Sequence, residues 1–225
     1  METLQNYQEL VHMIATPVMI ILYSLRLVIL MRHKMMTDRS PDPKGDLVKG
    51  VIDAFLTLVM PWKVESARKH WTKYVEFILF HLGLVGSISL VYTITWFRDF
   101  VRLPLVSGIY VAFILIGLAV GIARFIRRFT KPDLRIISVF DDYFSLFMLL
   151  IFNFTGALSL MDVFGWVSVG TAVVASYANF TIAGLFLIYA PFSKIHHYLY
   201  YPFARFFYGS EQSRKGILGA EVSNV

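Results

Sequence analysis

Five apolar runs, each long enough to cross a lipid bilayer, constrain this chain more than any other feature of its sequence. They cover residues 12–31, 76–97, 103–125, 139–164 and 166–192, to within a few positions. About 20 residues in helical conformation span the hydrocarbon core, and only a helix or a closed barrel satisfies its backbone hydrogen bonds there. The sequence therefore predicts an all-α membrane protein built as a bundle of five transmembrane helices.

Lysine and arginine lie mainly on one side of these spans. They are concentrated in segment 32–74, in the connection after the third span and in the C-terminal region, whereas the opposite side has only Arg98 and Arg102. By the positive-inside rule, we expect the N-terminus outside and the C-terminus in the cytoplasm. Because the basic residues flank apolar spans, the net charge of +6 indicates a membrane and no nucleic-acid partner.

The chain contains no cysteine. This excludes disulfides, thiolate-bound iron–sulfur clusters and covalently attached c-type haem within it. Any redox centre would therefore depend on histidine, on methionine or on a non-covalent pocket.

Segment 32–74 is the only long connection, and an amphipathic helix is predicted in it at about 47–60. Its apolar face would hold five residues: Leu47, Val51, Phe55, Leu58 and Val59. The helix is too short to span, so we expect a cytoplasmic docking surface or a strap on the membrane, or simple packing under the bundle. Residues 1–207 are predicted as the transmembrane domain and residues 208–225 as a cytoplasmic tail.

Three histidines are predicted at similar depth, near the cytoplasmic ends of two spans. His81 lies a little over one turn inside span two, and His196 and His197 follow span five. An ionisable group inside a span is costly and usually has a partner. Imidazoles from two helices at one level bind the axial positions of a b-type haem. The alternative is a structural His81, bonded to a backbone or hydroxyl group.

Two sets of neighbours bear on a haem at this level. Small residues after His81 would leave room for the macrocycle or would serve helix packing: Gly83, Gly86, Ser87 and Ser89. Propionates need cations or donors, and the candidates near this boundary are Arg26, Lys194, Arg205 and Tyr198. Arg26 lies inside span one, and its alternative is to extend towards the headgroups.

The five spans, "FHLGLVG" in span two and "PFSKIHH" after span five resemble the respiratory nitrate reductase gamma-subunit family of membrane cytochromes b. The resemblance covers about residues 10–207. In length the chain also resembles the small membrane subunit of the high-molecular-weight cytochrome complexes of sulfate reducers. The resemblance implies that His81 and His197 ligate a haem b, with His196 as the alternative to His197.

The same family has members with a second haem nearer the outer face. Its ligand positions correspond to Val91 and Asn179 here, and neither is a haem ligand, so one haem is expected rather than two. A second haem would need His12 with a methionine, or His70 with His196.

The resemblance implies a subunit of an oxidoreductase complex in the cytoplasmic membrane of a prokaryote. It would pass electrons between the menaquinone pool and a cytoplasmic iron–sulfur partner, similar to heterodisulfide reductase or ferredoxin. Other membrane subunits and a periplasmic multihaem cytochrome c are further implied partners. Asp141, Asp142 and His70 are candidate quinone contacts, although each also suits a solvated boundary.

Two other classes of function compete with a cytochrome. A haem-free membrane anchor would recruit soluble redox subunits without carrying electrons. A transporter or channel would explain Asn153 and Asn179 in the middle of their spans. We find no internal repeat of the kind that transporters usually have, and asparagines in spans commonly bond between helices.

Overall fold

The computed structural model describes residues 2–32, 45–60, 62 and 65–217, and this part of the chain contains helices and no strand. The α-helices are α1 Glu2–Arg32, α2 Leu47–Val59, α3 Glu65–Lys69, α4 Trp71–Trp96, α5 Arg98–Val101, α6 Pro104–Thr130, α7 Pro132–Ile137, α8 Phe140–Leu158, α9 Val169–Tyr189 and α10 His197–Arg214. Short 3-10 turns cover Met161–Phe164, Ala190–Phe192 and Lys194–His196.

Within the described residues, five helical segments are long and apolar enough to cross a membrane. They are Thr3–Arg32, Trp71–Trp96, Pro104–Thr130, Phe140–Phe164 and Val169–Phe192. The prediction of an all-α membrane protein with five transmembrane helices is therefore confirmed. The first helix begins about ten residues earlier than the apolar run, at Glu2.

Local sequence signals explain several helix ends. Asp46 caps α2, because its Oδ1 accepts hydrogen bonds from the backbone N–H groups of Val48 and Lys49 at 2.8 and 3.1 Å. Ser168 caps α9 through its Oγ, which accepts from the Thr171 N–H at 3.1 Å. The α6 helix begins at Pro104, where the missing N–H group has no intrahelical partner to lose.

The chain divides into two compact units. The first unit comprises Met1–Leu30 and Val75–Ile195, and the second comprises Met31–Tyr74 and His196–Val225. The first unit therefore holds most of the five spans, and the second holds α2, α3 and α10. The tail predicted from residue 208 begins inside α10, which continues to Arg214.

In the first unit, successive spans run in opposite directions around an apolar core. Glu76, near the start of α4, meets Arg124 and Arg127 at the end of α6, and Arg128 of α6 meets Asp142 at the start of α8. We call this the basic end of the bundle. The core is formed by Leu90, Val91, Ile94, Val101, Val111, Ile114, Phe152, Ala157, Leu160, Phe180 and Ala183.

The α4 and α6 helices approach to backbone contact. A Cβ atom added to Gly83 would lie 2.5 Å from the Gly117 Cα, and one added to Gly117 would lie 2.6 Å from the Gly83 Cα. Close approach through small residues replaces the hydrophobic driving force that is absent between helices in lipid. The α1 helix is more peripheral, with 11% of its span buried against 50% for the span of α8.

In the second unit, α2 and α10 form an antiparallel pair through small residues. A Cβ atom on Gly50 would lie 2.6 Å from the Ser213 Cβ, and one on Gly209 would lie 2.6 Å from the Val51 Cα and 3.0 Å from the Ala54 Cβ. Ala54 and Ser213 are fully buried. Later residues of α2 thus meet earlier residues of α10, and the two helix axes come unusually close.

Candidate functional site

His81 is held in one ring orientation by its own helix. Its Nδ1 lies 2.8 Å from the carbonyl oxygen of Phe77, one turn earlier in α4. A carbonyl only accepts a hydrogen bond, so this contact places the proton of a neutral imidazole on Nδ1 and the lone pair on Nε2. The Phe77 ring lies beside the imidazole, with centroids 4.0 Å apart, and Phe80 presents its edge at 5.7 Å.

Of the two roles left open for the small residues after His81, helix packing is the one that the structure shows for Gly83, Gly86 and Ser87. Gly83 and Gly86 face α6, where Gly117 and Ile114 fill the room in front of them, and Ser87 bonds to α8. These residues therefore serve helix packing. His81 instead shares a face with Phe77, Val85 and Ile88, and the last two are 61% and 48% exposed. That face of α4 is apolar and partly exposed.

A charged cluster lies one to two turns from His81 at the basic end. Glu76 accepts from Arg124 Nε at 2.8 Å and from Arg127 Nη1 at 2.7 Å. The Arg124 guanidinium also lies over the Phe80 ring, 4.7 Å from its centroid. Two arginines facing one carboxylate leave an excess positive charge beside the turn that carries His81. In the sequence these arginines are recognisable only as topology signals, and their convergence on Glu76 was not predicted.

The "PFSKIHH" stretch forms a turn held by hydrogen bonds. Arg26 of α1 donates through Nη1 to the carbonyl oxygen of Pro191. Ser193 is buried, and its Oγ accepts from the Ile195 N–H at 3.2 Å. Pro191 lies at the point where α9 gives way to a 3-10 turn. Arg26, predicted as a propionate partner or as extending to the headgroups, therefore joins the ends of α1 and α9.

Asp141 and Asp142 bind the same turn from the start of α8. Asp141 accepts from the Tyr189 hydroxyl and, through Oδ2, from the Lys194 N–H at 2.9 Å. Asp142 Oδ2 accepts from Lys194 Nζ at 2.7 Å and from the Val139 N–H at 3.0 Å. Lys194, a predicted propionate partner, is thus the ion-pair partner of Asp142. Both carboxylates, predicted as quinone contacts, connect α8 to the end of α9.

The other histidines predicted as site residues, His70, His196 and His197, belong to the second unit. His196 ends a 3-10 turn and His197 begins α10, so the two residues do not lie on one continuous helix with span five. The His196 ring contacts the Tyr200 ring edge-on at 5.3 Å. His70 is exposed, and its carbonyl oxygen accepts from the Lys73 N–H at 3.0 Å. The Tyr198 side chain and all of His33 lie outside what the structure describes.

Polar side chains bond between helices in the middle of the first unit. Ser87 Oγ donates to Asn153 Oδ1 at 2.6 Å. Asn179 Nδ2 donates to the Phe152 carbonyl at 2.9 Å and to Thr155 Oγ1 at 3.2 Å. Asn153 and Asn179 therefore bond across helices, as is common for asparagines in spans. Val91 belongs to the apolar core, so both positions of a second haem are occupied by packed side chains.

His12 is a second histidine inside the first unit. Its ring stacks on Tyr92 with centroids 5.1 Å apart and meets Phe180 edge-on at 5.6 Å. Among the residues that the structure describes, no atom lies in hydrogen-bonding geometry to either shielded ring nitrogen of His12. Gln8, one turn earlier, is buried, and its Nε2 also has no partner within this part of the chain. His12 is therefore packed as an aromatic side chain.

An open groove of about 520 Å³ lies between the end of α8 and the first half of α9. Its lining is mainly small and apolar: Thr155, Leu158, Gly170, Thr171, Val174, Ala175 and Ala178. It lies away from the basic end and was not predicted from the sequence. In the sequence, the small residues at the start of α9 are the feature that could have indicated this groove.

Across the described residues, no group of three or more His, Asp or Glu side chains is placed to hold a metal ion. A haem iron takes only two axial ligands, so this finding does not bear on a haem. Comparison of the chain with protein-family models, with curated proteins and with solved structures gave no match.

Proposed function

We propose that this chain is a haem b-containing membrane subunit of a respiratory redox complex. It would pass electrons between the menaquinone pool and a cytoplasmic iron–sulfur partner subunit. The N-terminus would be outside and the C-terminus in the cytoplasm, in the cytoplasmic membrane of a prokaryote. The proposal joins the histidines of spans two and five with the resemblance of "FHLGLVG" and "PFSKIHH" to the nitrate reductase gamma-subunit family.

The observation that carries the proposal is the hydrogen bond between His81 Nδ1 and the Phe77 carbonyl. Histidines that bind metals almost always donate their other ring N–H group to a carbonyl or carboxylate, which fixes the ring and raises the basicity of the coordinating nitrogen. His81 has this arrangement on an apolar face of a membrane helix, where an ionisable residue is costly without a function. Nε2 is the atom that would coordinate iron.

His81 and His197 would hold the haem, with His196 as the alternative second ligand. When bound, the haem supplies reversible one-electron chemistry at its iron. The chain would contribute ligand orientation through Phe77, an apolar surface through Val85 and Ile88, and positive charge at the basic end. Arg124 and Arg127 join Arg26 and Lys194 as candidate cations near the propionates.

Arg26, Lys194 and Asp142 already have protein partners, and this bears on their proposed roles. A propionate that approached Lys194 would compete with Asp142, whereas a propionate near Arg124 and Arg127 would share an excess of positive charge with Glu76. We therefore favour the arginines of α6 as the cations that stabilise propionates.

The deciding experiment is a visible spectrum of the purified full chain with its native partners, reduced by dithionite and compared with the oxidised form. We expect a b-type signal at about one haem per chain. His81→Ala should lose it, and added imidazole should restore a substantial part of it. His12→Phe, a matched histidine change in another span, should keep the full signal. Loss of haem in His12→Phe, or full retention in His81→Ala, would contradict the ligand assignment.

A haem-free membrane anchor is the second candidate function. It is favoured by the exposed apolar surface of α2 and α10, which would suit a soluble partner. An anchor would assemble and support electron flow in the complex without any haem in this chain. Normal partner assembly and activity of His81→Ala, together with no haem in the unmodified chain, would favour the anchor.

A further inference from the structure

Within the part of the second unit that the structure describes, the helices leave an apolar face uncovered. On α2 it contains Leu47, Val48, Ile52, Phe55 and Leu56, and on α10 it contains Phe203, Phe206 and Phe207. Each of these side chains is at least 36% exposed, and Val48 reaches 65%. We call these eight residues the apolar face of the α2–α10 pair.

The apolar face arises from how the two helices pair. With about 100° of rotation per residue, the apolar residues of α2 lie about 140° around from Gly50 and Ala54, which contact α10. Those of α10 lie about 90° around, in the same rotational sense, from Gly209 and Ser213. Because the helices are antiparallel, rotation in the same sense along both chains brings the apolar residues of α2 and those of α10 to the same side of the helix pair. Lys49, Asp53 and Arg205 lie on the other side.

The charge of the second unit favours a lipid surface as the occupant of this face. Its two segments, Met31–Tyr74 and His196–Val225, contain twelve Lys and Arg against seven Asp and Glu, which is +5 of the chain's total of +6. Basic segments beside a span are attracted to anionic lipids close to the membrane surface. A helix with one apolar and one charged face lies in the plane of such a surface.

Chain connectivity points to the same occupant. The span Val169–Phe192 ends five positions before His197, the first residue of α10. The span Thr3–Arg32 ends within Met31–Tyr74, the first segment of the second unit, and the span Trp71–Trp96 begins within it. All three connections therefore bring the second unit to the membrane boundary. Aromatic residues are concentrated at that boundary, and Phe203, Phe206 and Phe207 suit it.

We propose that the apolar face of the α2–α10 pair lies in the headgroup region of an anionic leaflet, with its apolar side chains reaching the acyl boundary. The pair then lies in the plane of the membrane surface. A soluble partner or a second copy of the chain is excluded from this face while lipid covers it. The proposal goes beyond the proposed function, since it requires neither haem nor electron transfer.

The test uses nitroxide labels on single-cysteine variants of the full chain, which has no native cysteine. The protein is reconstituted into vesicles of phosphatidylcholine and phosphatidylglycerol in a ratio of about 7:3. The anionic phosphatidylglycerol supplies the negative surface potential. Collision rates with oxygen and with a water-soluble nickel chelate are compared. We expect labels at Ile52 and Phe206 to favour oxygen several-fold over labels at Lys49 and Gln212.

Two controls separate lipid from other occupants. In pure phosphatidylcholine vesicles, the oxygen preference at Ile52 and Phe206 should fall. Labels at Val48 and Phe203 should become accessible to nickel when Ile52→Glu and Phe206→Glu are combined, while the distance between labels on α2 and α10 stays unchanged. That unchanged distance shows that the helix pair has not unfolded.

Two results would overturn the proposal. Apolar-face labels that are accessible to nickel in anionic vesicles would place this face in water. Labels shielded from both oxygen and nickel would mean that protein covers it, either a second copy or another subunit. Both outcomes are independent of haem content. The proposed function is therefore tested separately, by the reduced-minus-oxidised visible spectrum.

Discussion

At the residue scale, the interior of the bundle depends on a few polar side chains that bond between spans. Ser87, Asn153 and Asn179 join α4, α8 and α9, and all three are nearly or fully buried. In lipid a buried polar group has no water to replace a lost partner, so these side chains restrict which helices can be neighbours. Their contribution to stability is nonetheless modest, because the unfolded chain also finds partners in the membrane.

The Ser87–Asn153 hydrogen bond gives a first prediction. Ser87→Ala and Asn153→Ala should show a coupling of about 0.5–1.5 kcal/mol in a double-mutant cycle, the range typical of hydrogen bonds between transmembrane helices. The free energy of unfolding of all four proteins is measured by denaturation in mixed micelles. Coupling near zero would mean that the two side chains do not bond in the membrane.

His12 gives a second prediction, because its ring nitrogens are shielded and its ring packs against Tyr92 and Phe180. His12→Phe keeps an aromatic ring and removes polar atoms, so the free energy of unfolding should stay within about 1 kcal/mol or rise. His12→Ala should lower it by about 2–4 kcal/mol, since the cavity loses packing contacts. A large loss in His12→Phe would show that the imidazole nitrogens have an essential partner.

At the element scale, the distance between helices is set by single glycines. Gly83 and Gly117 bring α4 and α6 into backbone contact, while Gly86 on the next turn faces side chains that can adjust. Backbone atoms cannot move aside as the end of a side chain can. We therefore expect an added Cβ atom to be tolerated less well at Gly83 than at Gly86, although both residues lie in the interface between α4 and α6. A sequence pattern alone does not distinguish them.

This difference gives a third prediction. Gly83→Ala should destabilise the protein by about 1–3 kcal/mol, because its Cβ would lie 2.5 Å from the Gly117 Cα and the helices must separate. Gly86→Ala is the matched control, since its Cβ would lie 3.4 Å from Ile114 Cγ1 and the cost should stay below about 1 kcal/mol. The measurement is the free energy of unfolding of both variants in mixed micelles. Equal effects of the two variants would contradict the backbone contact between α4 and α6.

At the scale of the whole molecule, charge is distributed unevenly among the segments that connect the spans. Most of the lysine and arginine lies in residues 32–74, at and after the end of α6, and in the C-terminal region, whereas the connection between α4 and α6 has Arg98 and Arg102, the latter paired with Asp162 at 2.6 Å. Positive charge is retained on the cytoplasmic side during insertion, so this asymmetry indicates the orientation of every span.

Orientation is a fourth prediction, and the absence of cysteine makes the experiment direct. Asn6→Cys near the N-terminus and Lys131→Cys between α6 and α7 are both at exposed positions. In intact cells, a maleimide that does not cross membranes should label Asn6→Cys and not Lys131→Cys. Both should react after the membrane is opened. The reverse pattern in intact cells would show that the protein is inserted the other way round.

The sequence was sufficient for the spans but only partly for the site. Apolar runs predicted all five transmembrane helices because length and hydropathy are local properties of a segment. It also singled out His81, whose polarity is conspicuous among apolar neighbours. It did not indicate which face of α4 was exposed, and it left open whether Gly83 and Gly86 make room for a ligand or serve helix packing. The partners of Arg26 and Lys194 lie far away in the chain, so no local pattern could predict them.

What the sequence by itself determined is therefore the class of protein: a cysteine-free, all-α membrane protein with five spans and a concentrated positive charge. These properties follow from the transfer of each segment between water and lipid, which needs no knowledge of the other segments. The tertiary structure decided the neighbours of each side chain, including Phe77 against His81, Asp142 against Lys194, and the common apolar face of α2 and α10. Those depend on helix rotation and on close approach through single glycines, which arise only when the helices pack together.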